Sequence, residues 1–243
     1  MPGPEASFEW QTGIVGYLTL LVAAFLVSWL VTDVLRVRRT VYVGVLALAA
    51  IGLGTWYLTS SGTTIDEVVG SNVLWGIAAG LFAAAIVTPA VSRLPKHDPP
   101  VGRKRTELVA WEDVVYGTAE ALLLAVYPVL MLWQATIAAG WTDSSIGKVA
   151  AGTVAILGSL LVILVHHLGY AQFRTRAAHR MLAGALFACG LQAMAFLVTG
   201  SLAAPILAHV VLHIELTMHG DELPPVAVAR VGPRNDAPVY ARR

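Results

Sequence analysis

Seven apolar stretches recur along this chain, at about 13–32, 41–59, 73–92, 113–139, 148–168, 181–198 and 201–218. Polar loops, or loops containing Gly, Ser and Pro, separate them. A helix of roughly 20 apolar residues is what crosses the hydrocarbon core of a bilayer. The chain therefore reads as all-α: a polytopic membrane protein with about seven transmembrane helices, multi-pass in the cell membrane. Composition points the same way, with 57% hydrophobic and 13% charged residues and a mean hydropathy of +0.70. Soluble domains carry about a quarter charged residues. No nucleic-acid partner is expected. Cys189 is the only cysteine, which rules out an intrachain disulfide and a thiolate metal cluster. The first residues lack a positive region, so the first apolar run is expected to be a retained span, not a signal peptide.

The charges set an expected orientation. Of the 16 Lys and Arg, 15 fall on alternate loops: Arg36, Arg38 and Arg39; Arg93, Lys96, Arg103, Lys104 and Arg105; Arg174, Arg176 and Arg180; and Arg230, Arg234, Arg242 and Arg243. Lys148 is the exception. Cytoplasmic loops concentrate basic residues, so the N-terminus is expected outside and the C-terminus in the cytoplasm. The arginine-rich loops are then expected to contact anionic lipids at the cytoplasmic face. The chain divides into a three-helix membrane portion (1–106), a four-helix core (107–224) and a cytoplasmic tail without fixed structure (225–243). Asp33 is expected to pair with Arg36 at the interface, and the tryptophans to form an aromatic belt.

A few ionisable residues fall inside the spans, where they are costly and point by default to a site in the protein interior. Glu112 and Asp113 sit at the start of the fourth span, where solvent is an adequate partner. Glu120 is two turns deeper, about 12 Å at 1.5 Å per residue. The fifth span ends in His166 and His167. Neighbouring side chains diverge by about 100° on a helix, so one of the two is expected to face the cavity of Glu120. His209 and His213, four residues apart in the last span, share a helix face. Glu120, His167 and His213 are expected in the same inner half of the bilayer, with His209 at about mid-depth.

The run from Gly200 through Pro205 to His209 and His213, with His167-Leu-Gly-Tyr170 and Leu197-Val-Thr-Gly-Ser201 before it, resembles the CPBP family of CaaX-protease and Abi membrane proteins. The resemblance covers roughly 107–224. It implies an intramembrane glutamate protease cleaving a membrane-associated or C-terminal peptide bond, with a peptide or lipidated-protein substrate. Carried over, it implies that Glu120 is the carboxylate base of the EExxxR motif and His167 the histidine of FxxxH. His209 and His213 then fall on the oxyanion-stabilising HxxxN. The chain departs from these motifs at Ala121, Ala125, Ile163 and His213. A shifted register, Glu112-Asp113, puts Gly117 where the arginine belongs. The resemblance implies no metal and no cofactor. Two alternatives stand beside it: a non-catalytic membrane protein of the same fold that binds or scaffolds a partner, and a metal site built from the HxxxH pair with His167 and Glu120. The metal alternative lacks second-shell carboxylates recognisable in the sequence.

Overall fold

The computed structural model describes residues 9–69, 72–92 and 102–219. The tail expected at 225–243 lies outside the described residues. Among those described there is no strand, and 91% are helical. Six helices are long and apolar enough to cross a membrane: α1 (Trp10–Val34), α2 (Arg39–Ser61), α3 (Val73–Val91), α4 (Arg105–Ala138), α5 (Ser145–Gly169) and α6 (His179–Thr199). The seventh expected span is a shorter helix, α7 (Ala203–His219) of 17 residues. Gly200 ends α6 with φ 68°, a left-handed turn that glycine takes without strain, and α7 follows directly.

A span that carries ionisable residues belongs inside the bundle, away from lipid. Accordingly α4 is 78% buried across its apolar window, against 28–44% for the other long helices. It is flanked by α1, α2, α5, α6 and α7, while α3 packs outside, on α6 and α7. Leu74, Trp75, Phe82, Val149, Phe187 and Val198 point outward, as suits a lipid-facing surface. Small residues bring α3 close to α7. A Cβ on Gly76 would meet the Ser201 side chain at 2.3 Å, and one on Gly80 would meet the Ala204 carbonyl oxygen at 2.7 Å. Small-xxx-small spacing is how membrane helices approach in the absence of a hydrophobic driving force between them.

Two π-helical stretches, Val109–Val115 and Leu122–Val126, interrupt α4 on either side of the turn that carries Glu120. The second precedes Pro128, which has no N–H to give the carbonyl of Leu124. Ser159, fully buried on α5, donates to that oxygen at 2.6 Å. In hydrocarbon a freed carbonyl must find such a partner. Ser159→Ala is therefore expected to cost about 1–3 kcal/mol, the penalty for a buried unsatisfied acceptor. Thermal unfolding followed by a thiol-reactive dye on Cys189, buried in the folded bundle, measures this.

The ends bearing the basic residues meet. Arg39 at the start of α2 pairs with Glu112 in α4 at 2.9 Å. Arg174, after α5, pairs with Asp33 of α1 at 3.2 Å. Asp33 also accepts from the Ala171 N–H at 3.3 Å. The partner of Asp33 is thus Arg174, not the expected Arg36, because the α5 turn folds back over the end of α1. Asp113 accepts from Thr217 of α7 at 2.8 Å. At the opposite end, Asn72 before α3 donates to the carbonyl of Thr199 at 2.9 Å.

Candidate functional site

Glu120 is buried on the central helix, with 6% of its surface exposed. Its Oε1 accepts from Tyr116, one turn earlier on α4, at 2.9 Å. Its Oε2 faces Nε2 of His209 at 3.0 Å and Nε2 of His213 at 3.1 Å. The i, i+4 spacing stacks those two imidazoles, 5.0 Å between centroids and 24° between planes, so both reach the same oxygen. Gly117 permits the approach: a Cβ there would lie 3.3 Å from the Val210 backbone and from the His213 ring. Glu120, His209 and His213 are thus brought together.

His167 is not part of this contact. Its Nδ1 lies 2.8 Å from the carbonyl oxygen of Ile163, and its ring packs edge-on against Phe173. His166 faces Glu120 instead, with Nε2 at 3.5 Å from Oε1. The choice is made by α1. Its Ser28 hydroxyl lies 2.8 Å from the His166 carbonyl oxygen, and its Ala24 carbonyl lies 3.3 Å from His166 Nδ1. A carbonyl can only accept, so Nδ1 bears the proton and Nε2 presents its lone pair. Tyr170 donates to that Nε2 at 3.0 Å and is itself bonded to the Tyr42 hydroxyl.

His209 obeys the same reasoning. Its Nδ1 lies 2.6 Å from Oε1 of Gln192, a buried amide of α6. An amide oxygen only accepts, so Nδ1 is again the protonated nitrogen. His213 differs, since its Nδ1 is buried without a partner among the described residues.

A second layer braces the carboxylate. The Arg39 guanidinium lies 4.6 Å above the Tyr116 ring, while its Nε holds Glu112. The Tyr116 ring meets His213 edge-on at 5.0 Å. Glu112 and Asp113, expected to be solvated, are held instead by Arg39 and Thr217, and Asp113 is fully buried.

Helix spacing leaves His166 and His167 undivided, and it does not point to Gln192, Tyr116 or Arg39. Gln192 was accessible in principle as a polar amide in an otherwise apolar span, and Tyr116 as the residue one turn before Glu120. Arg39 belongs to the basic cluster that sets the orientation, yet it opens a helix and turns inward.

Donor atoms of Glu120, His209 and His213 lie within 4.8 Å of one another and could hold a metal ion. Two of these groups are held from behind by partners that the sequence did not reveal, His209 by an amide oxygen and Glu120 by a tyrosine hydroxyl. No family model, curated protein or solved structure matches this chain.

Proposed function

We propose that this protein is an intramembrane hydrolase of peptide bonds, in which Glu120 and His166 activate a water molecule. The observation that carries this reading is the pair Glu120 Oε1 and His166 Nε2, two acceptors 3.5 Å apart inside a buried site. Acceptors held this close favour a shared donor, and a water that takes the place of the Tyr170 hydroxyl at Nε2 serves both through its two O–H bonds. Glu120 takes a proton as the water oxygen bonds to the peptide carbonyl carbon. The imidazole N–H of His213 donates to the developing oxyanion. As the C–N bond breaks, Glu120 returns its proton to the departing amine. No free charge is left in the site.

The resemblance to CPBP proteases supports the same chemistry, with His166 in place of His167 as the histidine of the second motif and Val162 at the phenylalanine position. The absent second glutamate and arginine, at Ala121 and Ala125, then have a substitute. Tyr116 orients the carboxylate, and Arg39 lies over its ring. A peptide or lipidated protein at the cytoplasmic leaflet is the matching substrate class, since the site lies toward the arginine-rich end of the bundle.

The reading is tested with purified protein on short membrane-anchored peptides. His166→Asn is expected to slow cleavage by about 10²–10⁴-fold, the usual worth of a positioned acid–base group. His167→Asn is expected to leave it within a few-fold. Equal losses in both, or cleavage by neither the wild type nor the variants, overturn the assignment. The orientation has its own check. A cysteine placed at Thr64 is expected to label from outside, and one at Arg103 from the cytoplasm; the reverse pattern moves the site to the outer leaflet. A second reading, a binding or scaffold subunit, is favoured by the closure of the site, where Glu120 and its histidine partners are at most 6% exposed. Absence of cleavage in a folded wild type supports it.

A further inference from the structure

We infer that Glu120, His209 and His213 form a binding site for one divalent transition-metal ion of the zinc class, with His209 oriented by Gln192. The inference rests on the site proposed above, but not on its turnover. It begins with protons. His209 spends its only neutral-state proton on Gln192, at 2.6 Å from Nδ1. Its Nε2 therefore turns a lone pair toward the Glu120 carboxylate, 3.0 Å away. An anion and a lone pair this close, both buried, require a cation between them: a proton or a metal ion. Among the described residues no lysine or arginine reaches Glu120, and Arg39 lies over the Tyr116 ring beside it.

The remaining geometry favours a metal over a proton. His213 Nε2 converges on the same oxygen at 3.1 Å. Ligands about 2.0–2.1 Å from a tetrahedral ion stand roughly 3.3 Å apart, close to both separations. Two imidazoles and one carboxylate make up the three-ligand set of catalytic zinc sites that leave a fourth position open. Ligating histidines almost always donate their other ring N–H to an oxygen, and His209 does so to Gln192. The carboxylate is steadied through its other oxygen by Tyr116 at 2.9 Å. This second imidazole is particular to the chain, because the resembling motif has asparagine at the position of His213. Such an ion brings the pKa of a bound water down to about 7. Oε1 of Glu120 and Nε2 of His166 remain on the side away from the His209–His213 pair.

The test uses the full chain in detergent, freed of its purification tag and washed with chelator. Zn²⁺ is titrated calorimetrically, followed by elemental analysis after gel filtration. One zinc per chain is expected. Glu120→Gln and His213→Asn are expected to abolish stoichiometric uptake. Gln192→Leu is expected to weaken it 10–100-fold, as removal of second-shell partners does. His167→Asn is expected to bind as wild type. Melting curves establish that each variant is folded; should Gln192→Leu fail to fold, His213→Asn carries the test alone. No stoichiometric zinc in folded wild type, or unchanged affinity in Glu120→Gln and His213→Asn, overturns the inference. Absence of zinc uptake by a wild type that still cleaves peptide overturns it while leaving the hydrolase reading intact. Zinc bound without any cleavage removes the hydrolase reading and leaves the metal site standing.

Discussion

Glutamine in place of Glu120 is expected to leave the bundle folded and to slow hydrolysis by about 10²–10⁴-fold, the contribution of a positioned general base. The amide keeps the size of the carboxylate and one acceptor oxygen, so Tyr116 can still donate to it. It cannot take the proton of an attacking water. Leucine at the same position is expected to do something different. It would leave the Tyr116 hydroxyl and the Nε2 atoms of His209 and His213 facing a methyl-lined space, although each now lies within 3.1 Å of the carboxylate. Removing one member of a buried charged cluster costs about 3–5 kcal/mol. Glu120→Leu should therefore lower both activity and melting temperature, and Glu120→Gln activity alone. A glutamine variant with wild-type turnover removes Glu120 from the chemistry.

Arg39→Leu has the second largest expected effect, a loss of about 3 kcal/mol of stability. The Arg39 side chain is 4% exposed and its Glu112 partner 17%, so the pair is substantially desolvated. Truncation strands Glu112 and removes the cation above Tyr116, 4.6 Å from its ring centre. The loss sits at the low end of the range for buried pairs because both Nη nitrogens of Arg39 lack a partner among the described residues. Replacing both members, Arg39→Leu with Glu112→Leu, is expected to recover most of the loss, as apolar substitutes for a buried pair often do. Unfolding of both variants beside Glu112→Leu alone completes the cycle. A double variant as unstable as the sum of its singles would show that the two residues are not coupled.

The architecture was legible because hydrocarbon imposes a length on every span. The central place of α4 suits the carboxylates it carries, Glu112, Asp113 and Glu120, which need partners away from lipid, and Glu120 stood out as the deepest of them. His209 and His213 were legible as a pair because i, i+4 spacing puts them on one face whatever surrounds the helix. The choice between His166 and His167 was not. It depends on how α5 is rotated, and that rotation is set by Ser28 and Ala24, more than a hundred residues earlier. Arg39 has the same history. In sequence it belongs to a basic cluster with Arg36 and Arg38, and only the packing of α2 on α4 turns it toward Glu112. Gln192 acquires meaning once α6 and α7 are side by side, because its role is to fix which nitrogen of His209 carries the proton.

Hydrolysis writes the oxygen of water into the new carboxyl terminus, whatever the substrate. Wild-type and Glu120→Gln protein, reconstituted in liposomes with a mixed membrane-protein extract and incubated in heavy-oxygen water, can be compared by mass spectrometry of C-terminal peptides. New termini carrying heavy oxygen are predicted with the wild type and not with Glu120→Gln. Labelled termini in equal yield with both, or none with a folded wild type, contradict a hydrolytic role for Glu120.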